Sequence, residues 1–326
     1  MGKSMEMSRA AIVIFQLAIA EAALHTGCAP SAPAVLLVDN GSKRPAATLA
    51  LRQTASALSA VLGGREVLPV SLAFSDTIPP AALDGSPART LRSELAALRG
   101  RGDSSAVVVP LFLGPSGGLA RNLAECIQEL QDEEAADESG EAPFDLRVAP
   151  CLVDDAAPSD PRIGRALAAR VLSTARRWRL RGPLRVLVVD HGTPSARVNA
   201  VRERLTNEVR HLLGQRALAV SAASMERRDG KAYDFNEPLL ECALGTSPFD
   251  QGEVLIAMAF LLPGRHAGEG GDVDTILRGA CAASARPLRA HTTPLLASSS
   301  LVLEVLADRV NQAKSLRDAS LPSSMQ

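Results

Sequence analysis

Val186-Leu187-Val188-Val189-Asp190-His191-Gly192-Thr193 decides the fold, because the same phrase occurs earlier as Val35-Leu36-Leu37-Val38-Asp39-Asn40-Gly41-Ser42. Each copy is a short aliphatic run closed by a polar turn and followed by a helical pattern. The pattern runs through Leu49, Leu58 and Leu62 in the first copy and through Val198, Leu205 and Leu212 in the second. Asp39 and Asp190 stand 151 positions apart. Further on, the run Val107 to Pro115 is answered by Leu255 to Pro263, with Phe112 and Phe260 148 positions apart. An offset that drifts by so little over so long a stretch marks duplication of a whole domain, not a solenoid unit.

Working outward, apolar runs near 34–39, 67–73, 106–113 and 146–150 alternate with helical patterns near 46–62, 88–99, 119–131 and 162–177. In the second half, runs near 184–189, 217–223, 253–261 and 287–291 alternate with helices near 196–213, 236–244, 272–283 and 299–314. Short continuous apolar runs flanked by helices are the mark of parallel strands covered on both faces. The expectation is an α/β chain with two tandem domains, 33–180 and 181–318. Each has a four-stranded parallel sheet, with Arg181-Gly182-Pro183 at the junction and a cleft between the strand-end loops. The acidic stretch Asp132 to Glu141 reads as a solvated loop and 319–326 as a tail.

Composition narrows the partners. The 326 residues carry a formal net charge of −1, and aromatic residues make up 3 %, which leaves neither a basic footprint nor stacking platforms for nucleic acid. The apolar share of 46 % is enough for a core built on Leu, Val, Ile and Ala. Five scattered cysteines without a C-x-x-C pair support neither a disulfide framework nor an iron–sulfur cluster, and read as buried thiols in a reducing cytoplasm. Ala10 to Leu24, within the extension 1–32, is apolar but interrupted by Gln16 and Glu21, and is too short to span a membrane. It reads as an appended amphipathic helix or an over-long start rather than an export signal.

The strand-end loops carry the chemistry. Where the first half has Asn40, the second has His191; at matching offsets Ser75 faces Glu226 and Gly118 faces His266. Two imidazoles and a carboxylate on three successive strand ends form a ligand set for a borderline divalent metal with positions left open. Glu269, three residues beyond His266, is the alternative carboxylate. Each residue also has a plain reading: a loop histidine, a surface glutamate, and a glycine-rich turn capped by Asp272 at a helix start. His25, His211 and His291 have no such companions and read as structural. No Gly-x-x-x-x-Gly-Lys loop is present, so no nucleotide is expected.

Val-Val-Asp-His-Gly-Thr, Ser-Met-Glu-Arg and the phrase Phe260-Leu-Leu-Pro-Gly-Arg-His-Ala-Gly-Glu-Gly-Gly-Asp272 resemble the sirohydrochlorin chelatases of the CbiX and SirB type, over about residues 33–316. The resemblance implies a chelatase-like fold and insertion of cobalt or iron(II), as substrate, into sirohydrochlorin or a related anionic tetrapyrrole, in cobalamin or sirohaem biosynthesis. It places the family histidines on His191 and His266 and the family carboxylate on Glu226. It implies that the histidines are metal ligands able also to accept a pyrrole proton, and that Glu226 is a ligand, a base or the orienting partner of a histidine. The first half departs at all three places and becomes a non-catalytic wall. A substrate with eight carboxylates calls for cations, for which Arg265, Arg197, Arg227, Arg228, Lys43 and Arg44 are the candidates. Because the repeat supplies both walls, a monomer suffices. A non-catalytic metal- or tetrapyrrole-binding protein is the alternative, and metal-assisted hydrolysis at the same three residues a further one.

Overall fold

The computed structural model describes residues 32–136, 142–154 and 160–314. The N-terminal apolar stretch, the end of the acidic segment and the C-terminal tail lie outside the described residues. In the first half β1 (Ala34–Asp39), β2 (Val67–Ser71), β3 (Ser105–Pro110) and β4 (Asp145–Val148) form a parallel sheet in the order β2-β1-β3-β4. The second half repeats it with β5 (Leu184–Asp190), β6 (Ala217–Ser224), β7 (Gly252–Met258) and β8 (Leu288–Thr292), in the order β6-β5-β7-β8. The central strands β1 and β5 are aliphatic because both their faces are covered.

Eight α-helices are described: α1 (Pro45–Val61), α2 (Leu91–Gly100), α3 (Gly117–Ala136), α4 (Arg162–Arg177), α5 (Ala196–Leu213), α6 (Leu240–Leu244), α7 (Asp272–Ala283) and α8 (Ser300–Lys314). Leu95, Leu98, Leu119 and Leu123 of α2 and α3 close the outer face of the first sheet. Leu240, Leu244, Val273 and Leu277 of α6 and α7 close that of the second. Between the sheets a single core joins Leu51 and Leu58 of α1, Val171 of α4, Leu205 and Val209 of α5, and Val302 and Leu306 of α8.

The last helix of each half crosses over. α4 packs on β7 of the second sheet, and α8 on β3 and β4 of the first. The exchange is pinned by the buried Arg309 of α8, whose guanidinium donates to the carbonyls of Cys151 (3.0 Å) and Leu152 (3.1 Å), and by Arg162 of α4 against Asp308 of α8 (2.7 Å). The boundary expected at 180/181 separates the sheets but not these layers. From Ala34 onward the chain is one compact unit.

Several local readings need correction. α3 continues through Ala136, so the acidic stretch begins inside a helix; Asp132 and Glu133 are exposed there, and Glu133 pairs with Arg99. The helix expected from 236 starts at Leu240, because Pro238 lacks an N–H and turns Glu237 to extended backbone. β3 and β7 stop at Pro110 and Met258, short of the apolar runs that suggested them. The thiols are not uniformly buried: Cys126 and Cys151 are, Cys242 is exposed, and Cys281 is intermediate. Among the described residues no helix is long and apolar enough to cross a membrane.

Candidate metal centre and substrate cleft

β5 delivers His191 one residue past its last hydrogen-bonded position. Asp190, partly exposed at the strand end, then turns the chain by accepting from the Gly192 amide (3.1 Å). Gly192 has φ +90°, and a Cβ there would lie 1.9 Å from the Glu226 carbonyl, so only glycine lets the loop after β6 approach so closely. The Glu226 amide donates to the His191 carbonyl (3.1 Å), which locks the two loops together. Asn236, fully buried, clamps the outgoing chain by bonding both the N–H and the carbonyl of Thr193 at 2.9 Å.

The third loop is longer. Thirteen residues separate β7 from α7, against six between β3 and α3. The extra length folds back on the helix start: the Asp272 and Val273 amides donate to the carbonyls of Arg265 (3.2 Å) and His266 (3.1 Å), with Gly268 and Gly270 at positive φ. The α7 N-cap is Gly271, not Asp272. The Asp272 side chain instead accepts from His266 Nδ1 (2.7 Å), with Arg265 Nε at 3.5 Å. Sequence reasoning assigned Asp272 only a capping role. Its place six residues after His266 was the available signal for an orienting carboxylate, the usual partner of a metal-binding imidazole.

These loops bring His191, Glu226 and His266 together. The two rings lie 4.4 Å apart between centroids at 72°, and His191 Nε2 is 3.3 Å from Glu226 Oε1. His191 Nδ1 faces the Gly192 carbonyl at 2.9 Å, an acceptor only, so Nδ1 carries the proton and the Nε2 lone pair looks toward the carboxylate. A lone pair facing an anion calls for a proton or a cation between them. Two donors bound to one ion at about 2.1 Å with a near-tetrahedral angle stand roughly 3.4 Å apart, close to the separation here. Burial, and next the neighbouring His191, lower the His266 pKa, while Asp272 and Glu226 oppose that shift. Among the described residues no three His, Cys, Asp or Glu side chains are yet grouped as a finished metal site. Glu269 is exposed on the glycine-rich turn.

A cleft of about 820 Å³ opens beside the pair, lined from both halves by residues including His191, His266, Asn40, Lys43, Arg44 and Arg265. The loops meet at its mouth, where a Cβ on Gly264 would lie 3.9 Å from Ser42 Oγ. Arg197, Arg227 and Arg228 do not line it. Arg227 is taken by Glu237 (2.7 Å) and Asp234 (3.0 Å), and Arg228 lies over the Tyr233 ring at 5.9 Å. Of the six cations expected to hold substrate, Lys43, Arg44 and Arg265 are those that line the cleft.

The first half keeps the frame without the ligands. Asp39 accepts from the Gly41 amide (3.0 Å), and a Cβ on Gly41 would collide with the Ala73 carbonyl. The structural counterpart of Glu226 is therefore Ala73, not Ser75, which is buried. Gly118 lies inside α3 and has no true counterpart, because His266 sits in the lengthened loop. Asp190 is balanced by Arg202 (3.5 Å) and by Ser224 Oγ (3.2 Å). Burial still raises its pKa, with Arg202 the main opposing influence. At the position of Arg202, the first half has Leu51, and burial pushes the Asp39 carboxyl up to about 6 against hydrogen bonds from Ser71 and Gly41. His291, expected to be structural, is held by Glu253 at 2.5 Å and packs on Trp178.

This architecture is that of the chelatase-like proteins. Over 87 % of the chain it superposes on 96 % of SirB from Bacillus subtilis, a structure with Fe3+, at a TM-score of 0.57 and 12 % identity. CbiX, the terminal enzyme for biosynthesis of siroheme in denitrifying bacteria, matches 86 % of the chain over 99 % of its own length (TM-score 0.52, 18 % identity). DR2241 from Deinococcus radiodurans, a multi-domain protein with structural similarity to chelatases, matches 85 % of the chain over 54 % of its own length (0.52, 18 %). No protein-family model matches the chain, and no curated protein does. The chain thus has two tandem chelatase-like domains, the fold shared by SirB and CbiX.

Proposed function

We propose that the protein inserts a divalent metal, cobalt or iron(II), into sirohydrochlorin or a related anionic tetrapyrrole, as a step toward cobalamin or sirohaem. The observation that carries this reading is the meeting of His191 and His266, which line a cleft walled by both halves, with Glu226 beside His191. The metal is a substrate and must be held and then released, which favours three ligands with open positions over a closed cage. His191 and His266 hold it through Nε2, each with Nδ1 committed, to Gly192 and to Asp272. Glu226 is the third ligand, half exposed and free to swing.

Metallation exchanges one M2+ for two pyrrole protons. As the ion passes to the ring nitrogens, the vacated Nε2 atoms and the Glu226 carboxylate become acceptors for those protons, with His266 favoured as an unprotonated base by its lowered pKa. Lys43, Arg44 and Arg265 hold substrate carboxylates at the mouth. Both walls come from one chain, which supports a working monomer, and reduced scattered thiols support a cytoplasmic setting.

The test mixes purified protein with sirohydrochlorin and cobalt(II) or iron(II) and follows the visible spectrum. The expected result is a rate above the spontaneous one that His191→Ala and His266→Ala each abolish and Asn40→Ala preserves. Equal rates with and without protein would overturn the proposal. Tight pigment binding without acceleration would instead support the non-catalytic reading.

A further inference from the structure

Four exposed arginines, Arg176, Arg177, Arg179 and Arg181, surround Trp178, the chain's single tryptophan, where α4 ends. Among the described residues none of the four is paired with a carboxylate. In a chain whose formal net charge is −1, this is a local excess of positive charge. The arginines are not needed to close the helix. The Trp178, Arg179 and Leu180 amides already donate to the carbonyls of Thr174 (3.0 Å), Arg176 (3.1 Å) and Ala175 (2.9 Å), with Arg179 at φ 51°, a position that glycine usually fills.

Trp178 is 54 % exposed, yet its ring is held. It lies 4.5 Å from the His291 ring between centroids, tilted by 36°, and His291 is fixed through Nε2 on Glu253 Oε2 at 2.5 Å. Beside the indole opens a second cavity of about 730 Å³, whose lining residues are all distinct from those of the metal cleft. Leu180 and Leu288 give it apolar surface, and Arg177 and Arg289 give it cations. Glu253, the one carboxylate among the described residues that line it, is divided between His291 and Arg289 (3.5 Å), so positive charge is left in surplus. The first half shows no such surplus on the matching strand: β4 carries Asp145 opposite Ser105 where β8 carries Arg289 opposite Glu253, and Arg147 neutralises Asp145 at 2.9 Å.

From these features we infer that this cavity is a second, peripheral site for the polycarboxylate macrocycle, apart from the cleft that metallates it. The flat conjugated face rests on Trp178, and the acid side chains reach Arg177, Arg289 and the neighbouring arginines. Arginine pairs with carboxylates through two parallel N–H bonds, and a held indole offers flat apolar area at little loss of freedom. Eight carboxylates exceed what Lys43, Arg44 and Arg265 can pair in the cleft, and the end of α4 supplies further unpaired guanidinium groups. The site keeps pigment on the protein between turnovers. This inference rests on the tetrapyrrole reading above for the identity of its ligand and adds a place of docking to it.

The test counts uroporphyrin (eight carboxylates) bound per full chain by equilibrium dialysis without metal. Two are expected in the wild type. Trp178→Ala and the charge reversal Arg177→Glu with Arg289→Glu are each expected to weaken one of the two about tenfold or more, with the metallation rate and the unfolding midpoint unchanged. A single uroporphyrin per chain that neither variant alters would overturn the inference and leave the tetrapyrrole reading of the cleft standing. A single uroporphyrin that either variant abolishes would overturn the cleft assignment and leave the peripheral site. Single-stranded oligothymidylate that displaces uroporphyrin from the Trp178 site at a lower concentration than uroporphyrin itself would overturn the inference and make the patch a nucleic-acid surface. Failure of uroporphyrin to bind at all would overturn both.

Discussion

Asp39→Asn is expected to stabilise the protein at neutral pH, and the magnitude follows from the buried strand end. Asp39 is 7 % exposed, accepts from Gly41 and Ser71, and has Leu51 where the other half places Arg202. Its folded pKa is raised from 3.8 to about 6 by burial. A raised carboxyl pKa means that the folded state binds the proton more tightly. The stability it contributes is fully present below 3.8 and is lost as the pH rises through about 6. A shift of about two units, at 1.36 kcal/mol each, corresponds to about 3 kcal/mol at pH 7.5 and about 1 kcal/mol at pH 4.5. Asparagine keeps an acceptor for the Gly41 amide and never ionises, so the variant should gain most of that amount at pH 7.5 and progressively less in acid. Urea or thermal unfolding at several pH values measures it, with a midpoint raised by roughly 6 °C at neutral pH. A variant destabilised by the same amount at every pH would refute the reasoning and make Asp39 a plain hydrogen-bonding residue.

Other outcomes follow from the same frame. Arg202→Leu, which copies the first half at that position, should cost about 3 kcal/mol by removing the buried cation that faces the partly exposed Asp190 carboxylate. Adding Asp190→Asn should recover much of that loss in a double-mutant cycle of unfolding free energies. Gly192→Ala should abolish metallation with a stability loss of a few kcal/mol, because a Cβ 1.9 Å from the Glu226 carbonyl forces the two loops apart; full activity in this variant would contradict the loop coupling. Asp272→Asn should weaken cobalt(II) binding roughly 10–100-fold by titration calorimetry while leaving the fold intact, since it removes the carboxylate that orients His266.

Much of this was legible because the chain carries its own comparison. The repeat of Asp39-Asn40-Gly41 as Asp190-His191-Gly192 gave both sheets and singled out His191, since a duplicated frame exposes whatever differs between copies. What periodicity could not separate was strand from cleft wall. Leu111 to Leu113 and Ala259 to Leu262 are as apolar as the strands they extend, yet they leave the sheets and line the cleft. A constant offset likewise hid the lengthened loop after β7, so Ser75 and Gly118 were matched to Glu226 and His266 by spacing alone. The exchange of α4 and α8 left no local mark, because an amphipathic helix does not declare which sheet it covers. Arg227 illustrates the limit for charges: proximity in sequence to a site says nothing of whether a nearer carboxylate has already taken the guanidinium, as Glu237 has taken Arg227.

The account depends most directly on one ion being shared by His191, His266 and Glu226. X-ray absorption of the cobalt(II)-loaded protein tests this, with the wild type compared against His191→Ala and His266→Ala. The expected spectrum has light-atom ligands at about 2.0–2.2 Å with the multiple scattering of two imidazoles, falling to one in each variant. Cobalt scattering that lacks imidazole, or that neither substitution alters, would place the metal elsewhere and contradict the assignment.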